Sequence, residues 1–235
     1  MRIKLFSWNI WCNCDFEGVS RLLRACNADV IALQEVMLND PKRDIRRILI
    51  GEGYRHGVCS GVMTLKDGRV MGNAIFSRLP GTGPIGSYPL SRKDMRRAVY
   101  AGIEDGDGEP LLHVYCTHLL HTHQRLSDTQ LVQAHRLLRI SRGRRTVVMG
   151  DFNAVPGSEV IAAMNNHMRD TDPDSNPTWS AHPEGCSGCN PGGINTRLDY
   201  IFVSRDIYDG VVPGSFQVMA PSGSDHLAIS VEIDL

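Results

Sequence analysis

The chain of 235 residues lacks any apolar run near the roughly 18 residues that span a bilayer, which excludes an obvious membrane helix. It also lacks an excess of either charge, with 25 Lys and Arg against 26 Asp and Glu and a formal net charge of -1. No overall basic field therefore marks a protein that coats nucleic acid, although a local basic groove stays open. Met1 to Phe6 alternate like a strand and carry no apolar core of a secretory leader, so cytoplasmic residence is expected. Internal repeats and linker-like segments are missing too, and a single domain over residues 1–235 is expected. The seven cysteines are odd in number and scattered, with Cys186 and Cys189 the one C-x-x-C pair. A structural zinc site needs a second pair or two suitably spaced histidines, so reduced thiols are the expectation.

What is present is an ordinary globular composition, 42% hydrophobic and 22% charged. The most informative stretch runs from Arg144 to Ser158. Val147 to Met149 form a short buried strand, Gly150 lets the backbone bend, and Asp151 and Asn153 emerge where the strand stops. Phe152 between them points the other way, into the core, because side chains alternate along a strand. Ser158 is placed to cap a helix carrying Val160, Ile161 and Met164.

The rest of the chain repeats that pattern of strands ending in polar residues. Arg2 to Asn9 is a strand, and Asp15 caps a helix whose apolar face is Phe16, Val19, Leu22, Leu23 and Cys26. Val30 to Leu33 is a buried strand with Gln34 and Glu35 at its end, completing a β-α-β unit that sets Asn9 and Glu35 at one sheet edge. A helix starting at Asp40-Pro41 should put Ile45, Ile48 and Leu49 inward and end at Gly51. Residues 54–90 read as Gly-rich and irregular, with short strands near Val58, Val62 to Leu65 and Asn73 to Phe76. The run Asp105-Gly106-Asp107-Gly108 joins Val99 to Glu104 and Leu111 to Cys116 as a hairpin, whose second strand ends in Thr117-His118-Leu119. Gln124 to Ile140 is a helix, Thr171 to Gly193 a long surface loop, and Arg197 to Val203 and Leu227 to Ile233 are further strands.

Asn9, Glu35, His118, Asp151, Asn153, Asp199, Asp225 and His226 all lie where core strands begin or end. Each alone is an ordinary turn former or surface residue. Drawn together, their four carboxylates repel unless a cation sits among them. All-oxygen ligands favour a hard ion, Mg2+ with Mn2+ as a substitute, over zinc.

Seven segments carry a family resemblance: Ser7-Trp8-Asn9-Ile10, Leu33-Gln34-Glu35-Val36, Gly72-Asn73-Ala74-Ile75, Thr117-His118-Leu119, Gly150-Asp151-Phe152-Asn153, Leu198-Asp199-Tyr200-Ile201 and Ser224-Asp225-His226. In this order they resemble the endonuclease/exonuclease/phosphatase superfamily, the DNase I-like metal-dependent phosphoesterases. The resemblance implies a four-layer α/β sandwich, two packed mixed β-sheets with helices outside. It implies Glu35, Asn9 and Asp225 at a metal, Asp151 on the attacking water, and Asn153 and His118 as donors to phosphoryl oxygens. It also implies His226 on the phosphate, oriented by Asp199. Thr117-His118-Leu119 is unlike the apurinic endonucleases and similar to the branches holding sphingomyelinases, deadenylases and tyrosyl-DNA phosphodiesterases. Met95-Arg96-Arg97 and Pro177-Thr178-Trp179 are similar to the last of these, whereas Phe152 and Ala154-Val155-Pro156 depart from it.

The expected function is Mg2+-dependent hydrolysis of a phosphoester, with nucleic acid or a small phosphorylated molecule as substrate. Phospholipid headgroup cleavage, small-molecule phosphatase activity and a non-catalytic binding role are the alternatives. The last is disfavoured because none of the eight residues is missing. Arg96 and Arg97 are candidate phosphate binders, and Trp179 is a candidate stacking platform for a base or a choline-like group. His121 and His123 either join the site or flank a helix start, and the second is the expectation. No obligate protein partner and no stable membrane insertion are expected.

Overall fold

Strands that are apolar on both faces need cover on both sides, and this chain supplies it with two sheets and two pairs of helices. The computed structural model describes all residues except 82–84, 106, 109, 122–127 and 180–195. Cys186, Cys189, His123, Gly106 and the first residues expected in the helix after 124 lie outside the described residues. In chain order the elements are β1 Arg2–Asn9, α1 Phe16–Ala25, β2 Val30–Met37, α2 Ile45–Gly51, β3 His56–Thr64, β4 Val70–Ser77, β5 Ile85–Pro89 and β6 Arg97–Glu104. There follow β7 Pro110–His118, α3 Thr129–Ile140, β8 Thr146–Asp151, α4 Glu159–His167, β9 Met168–Asp170, β10 Asp199–Ser204, β11 Gln217–Val218 and β12 Ile229–Asp234.

Two six-stranded mixed sheets result, ordered β11-β12-β1-β2-β4-β3 and β5-β6-β7-β8-β10-β9. Alternation along each central strand sends successive side chains to different cores. In β1, Ile3 and Leu5 enter the core between the sheets, while Phe6 and Trp8 pack with Val19, Leu23, Ile45 and Leu49 of α1 and α2. In β8 and β10, Val147, Met149, Ile201 and Val203 join the inter-sheet core. Val148, Tyr200 and Phe202 turn to Ala134, Leu137, Ile161 and Met164 of α3 and α4. The expected four layers, helix–sheet–sheet–helix, are therefore present. Among the described residues no helix is long and apolar enough to cross a membrane.

At the centre of each sheet lies one parallel pair, β1 with β2 and β7 with β8, joined through α1 and α3. Their carboxyl ends carry Asn9 beside Gln34 and His118 beside Asp151. Asp199 opens β10 directly opposite Asp151. Two parallel pairs thus deliver their last side chains to one end of the sandwich.

Several local expectations need correction. The segment after Asp40 is a short 3-10 turn at Pro41–Arg43, and α2 starts afresh with Asp44 as its cap, accepting from Arg47 N at 2.9 Å. The stretch 54–90 is more regular than its glycines suggest, because β3 and β4 pair as an antiparallel hairpin with one register shift between Gly61 and Met63. The long loop from Thr171 is not all surface: Thr171, Asp172 and Thr178 are buried, and Thr171 N bonds the Ile201 carbonyl at 3.1 Å. Asp172 explains part of this, since its carboxylate accepts from Asp174 N, Asn176 N and Asn176 Nδ2. The turn is self-satisfied and can be buried without an orphaned polar group.

Candidate active site

The site is built on backbone features that aim its side chains. Between Leu33 and Val36 the pairing of β2 with β4 slips by one residue, and Glu35 takes φ +60. Strict alternation would send Glu35 to the helix-covered face with Ile31 and Leu33; this bulge turns it to the sheet end instead. Gln34 then stays buried between the sheets, with Nε2 donating to Cys116 Sγ at 3.2 Å. On the second sheet Gly150 adopts φ +148 one residue before Asp151, and a Cβ there would lie 2.0 Å from the Thr117 carbonyl oxygen. Glycine is required at that approach.

A cleft of about 410 Å³ opens at this end of the sandwich, lined by Asn9, Glu35, Arg96, His118, Asp151, Asn153, Asp225 and His226 among others. Asp151 Oδ2 is its hub. It accepts from Asn9 Nδ2 at 2.9 Å and Asn153 Nδ2 at 3.3 Å, with His118 Nε2 at 3.3 Å and His226 Nε2 at 3.7 Å. Asp151 Oδ1 accepts from Asn153 N at 2.8 Å. Phe152 faces the opposite way, fully buried against Tyr200 and Phe202.

Asn9 links Asp151 to Glu35, donating to Glu35 Oε1 at 3.2 Å while its own oxygen accepts from Trp11 N at 3.0 Å. Glu35 Oε2 accepts from Cys12 N at 2.9 Å. The loop that supplies these donors is clamped by Arg43, which donates from Nη1 to the Cys12 carbonyl and from Nη2 to the Cys14 carbonyl at 3.4 Å. Asp225 and His226 are fixed by Ser224, whose hydroxyl donates to the Asn9 carbonyl at 2.7 Å and accepts from His226 N at 3.1 Å.

Behind His226 stands Asp199, fully buried, with Oδ2 at 2.8 Å from His226 Nδ1. The same oxygen accepts from Thr178 Oγ1 at 2.7 Å. Burial would lower His226, but Asp199 and Asp151 outweigh it and push the imidazole up to about 10. His226 is therefore an imidazolium at neutral pH in the metal-free protein. Burial raises Asp151 to about 7, against the lowering by His226, with Asp199 adding to the rise. Burial, Arg96 and the other histidines hold His118 well below the usual imidazole range, so it is neutral. Asp225 is raised by burial and by Glu35 beside it, with His226 opposing.

Those shifts bear on whether a metal fits. Asp151, Asp199 and His226 offer three ligand atoms within 4.8 Å of one another. Asp199 Oδ2 and the His226 Nδ1, however, are already spent on each other and on Thr178, which leaves Asp199 Oδ1 and His226 Nε2. The carboxylates of Glu35, Asp225 and Asp151 line the same cleft and offer oxygen donors of the kind a hard divalent cation takes. Mutual repulsion between Glu35 and Asp225 is relieved by positive charge placed there.

Outside the eight strand-end residues, the expectations fare unevenly. Arg96 lines the cleft, whereas Arg97 turns to the sheet edge, donating from Nε to Ser87 Oγ at 2.7 Å and from Nη2 to the Ser87 carbonyl at 2.8 Å. Adjacent residues at a strand start face opposite ways, so both could not reach the same cleft. Trp179 is on the cleft wall, its ring 6.5 Å from that of His226. His121, expected to flank a helix, instead lines the cleft, with Nδ1 at 2.6 Å from Asn153 Oδ1.

Three supporting residues escaped the sequence reading. Gln130 Nε2 donates to the carbonyls of Leu120, Phe152 and Asn153, pinning the loops after β7 and β8. Gln133 accepts from Leu120 N at 2.8 Å and donates to Asp94 Oδ2 at 2.8 Å, beside Arg96. Thr178 holds Asp199 as described. The available signal was two glutamines three apart on the helix face that also carries Ala134 and Leu137.

The chain is structurally similar to an endonuclease/exonuclease/phosphatase from Beutenbergia cavernae DSM 12333, at 23% identity and TM-score 0.79 over 100% of this chain and 72% of that one. It is similar to the human Nocturnin catalytic domain with bound sulfate anion, at 19% identity and TM-score 0.74 over 99% and 93%. It is also similar to the mannosyl-6-phosphatase Bt3783 of Bacteroides thetaiotaomicron VPI-5482, at 15% identity and TM-score 0.71 over 99% and 100%. No curated protein sequence matches the chain. The sequence profile of the Endonuclease/Exonuclease/phosphatase family matches residues 6–226, nearly the whole chain, a range within which the eight strand-end residues fall. With the two-sheet sandwich and the polar constellation at its end, that match establishes that the chain belongs to the Endonuclease/Exonuclease/phosphatase family.

Proposed function

We propose that the chain is a single catalytic domain that hydrolyses a phosphoester by in-line attack of water, with Mg2+ or Mn2+ as cofactor. The observation that carries this reading is Asp151, a buried carboxylate on which Asn9, Asn153, His118 and His226 converge from both sheets. A carboxylate held up to about 7 is matched to taking a proton from water near neutrality.

Glu35 and Asp225, with Asn9 and Asp151 beside them, would hold the cation, which would supply positive charge against the phosphoryl oxygens. Asp151 accepts the proton of the attacking water as its oxygen bonds to phosphorus. The ester oxygen departs with the electron pair of its P–O bond and takes a proton from the medium. His226, kept charged by Asp199, donates from Nε2 to a phosphoryl oxygen as negative charge spreads. His118 is neutral and adds a donor without a second full charge. Asn153 spends both amide hydrogens on the Leu119 carbonyl and Asp151, so it fixes Asp151 here and turns to substrate only by exchanging one of them.

The test is hydrolysis of p-nitrophenyl phosphate and bis-p-nitrophenyl phosphate with Mg2+, Mn2+ or EDTA, alongside Glu35→Ala and Asp151→Asn. Turnover lost in EDTA and in both variants supports the reading. Turnover that survives either substitution overturns the assigned roles.

A further inference from the structure

The cleft contains a cation that the reaction scheme above leaves unused. Arg96 Nη1 is buried and has no hydrogen-bond partner. Nor does its guanidinium form an ion pair with any described residue. Burial lowers its pKa, while Glu35, Asp151 and Asp94 draw it back up, so it sits within their field without touching them. It also depresses His118, which places it on the His118 side of the cleft. A buried guanidinium nitrogen left unpaired is costly, and an anion arriving at Nη1 recovers that cost. The backbone that carries it is fixed: Arg96 N donates to Asp94 Oδ1 at 2.8 Å, and Asp94 is in turn bound by Gln133.

Two further observations limit the size of that anion's carrier. Arg96 is the one Lys or Arg among the described residues lining the cleft, whose volume is about 410 Å³. A polynucleotide track requires several backbone-neutralising cations, and the described lining of the cleft supplies this single one. Trp11, Met63, Leu65, Met71 and Trp179 give the cleft an apolar stretch, beside Cys12, Asn13 and His121.

We propose that the substrate is a small phosphomonoester, its terminal dianionic phosphate gripped by Arg96 and its leaving group resting on the apolar stretch. The inference rests on the phosphoester-hydrolase reading and narrows it. A diester phosphate has two non-bridging oxygens and one negative charge, which the cation, His226 and His118 already serve. A monoester has three such oxygens and a second charge, and Arg96 supplies the extra charged donor. Water bonds to phosphorus and passes a proton to Asp151. The ester P–O bond breaks, and the products are an alcohol and inorganic phosphate.

The experiment compares kcat/KM for p-nitrophenyl phosphate, a nucleoside 5′-monophosphate and a hexose phosphate with bis-p-nitrophenyl phosphate, a short oligonucleotide and sphingomyelin vesicles. Wild type, Arg96→Lys and Arg96→Gln are each assayed in Mg2+ and in Mn2+. Monoesters should be preferred, and Arg96→Gln should lower their kcat/KM by about 10- to 100-fold, the worth of a charged hydrogen bond. Diester turnover should change less than about threefold on the same scale, and Arg96→Lys should restore part of the loss. Calorimetry with inorganic phosphate gives a readout apart from turnover, with wild type binding more tightly than Arg96→Gln. Preference for the diester, the oligonucleotide or the vesicles overturns the inference and leaves the phosphoester-hydrolase reading intact. So does an equal loss on monoester and diester in Arg96→Gln. No metal-dependent turnover on any substrate overturns both.

Discussion

Thr178→Val removes one oxygen and keeps the shape of the side chain, yet three bonds depend on that oxygen. Thr178 Oγ1 donates to Asp199 Oδ2 at 2.7 Å and accepts from Leu198 N and Asp199 N, both at 3.1 Å. All of this is buried, and Asp199 Oδ1 has no hydrogen-bond partner to fall back on. The hydroxyl–carboxylate bond is worth about 1.5–3 kcal/mol, and the stranded N–H groups raise the total to roughly 3–6 kcal/mol. For a chain of this size each kcal/mol moves the melting temperature by about 2–4 °C, so a fall of roughly 6–24 °C is expected. If about 1.4 kcal/mol of the disturbance reaches the transition state through His226, kcat drops about tenfold with KM nearly unchanged. Thr178→Ser keeps the hydroxyl and should lie within about 1 kcal/mol of wild type. Thermal unfolding in EDTA and steady-state kinetics in Mg2+ read the two effects separately. A Thr178→Val protein that melts within 2 °C of wild type, a shift of about 1 kcal/mol or less, would refute the assignment of Thr178 as the support of Asp199.

Further perturbations test the remaining supports. Arg43→Leu frees the Cys12 and Cys14 carbonyls and with them the loop that holds Glu35, so Mn2+ affinity measured by titration calorimetry should fall about 10- to 100-fold. An unchanged affinity would show that the loop holds itself. Gly150→Ala drives a methyl into the Thr117 carbonyl at an unfavourable φ, and a loss above about 4 kcal/mol in denaturant midpoint, or no folded protein, is expected. The site also sets a pH trend in EDTA. His226, raised to about 10, gives stability that is full below its unfolded value near 6.5 and lost as pH rises through the folded value. Asp151, raised to about 7, binds a proton that the unfolded chain releases near 4, so its contribution also falls as pH rises across that window. Unfolding free energies of wild type and Asp199→Asn against pH check this, because the variant removes the main raising influence on His226 and should flatten the alkaline limb.

The outline of the fold could be read from sequence because burial writes itself plainly into the central strands. Val30 to Leu33 and Val147 to Met149 are apolar at every position, and only a strand covered on both faces needs that. The eight polar residues were visible for the complementary reason: each interrupts such a run at its end, where the sheet stops and water begins. Polar residues that serve the site from elsewhere carry no such mark. Gln130 and Gln133 sit on a helix whose arginines already suggest a solvent face, and Thr178 lies in a segment rich in proline and aspartate. Their roles come from long-range contacts that no local period encodes.

Glu35 shows where local reading succeeds in naming a residue and fails in explaining it. Its position after four apolar residues pointed to a strand end, yet β2 continues to Met37 with Glu35 inside it. An uninterrupted strand would have buried the carboxylate beneath α1 and α2, among Phe6, Trp8 and Leu33, an environment that would keep it protonated. The bulge and the positive φ at Glu35 are what avoid this, and a glutamate in that conformation holds it at a cost of order 1–3 kcal/mol. The surroundings impose that strain: Cys12 N and Asn9 Nδ2 each bind one carboxylate oxygen, while Gln34, on the other side of the bulge, is anchored to Cys116 in the opposite sheet. Glu35→Gln keeps the bulge and loses the charge, whereas Gln34→Leu keeps the charge and loses the anchor. If the bulge is what aims Glu35, the second substitution should weaken Mn2+ binding even though Gln34 lines no part of the cleft.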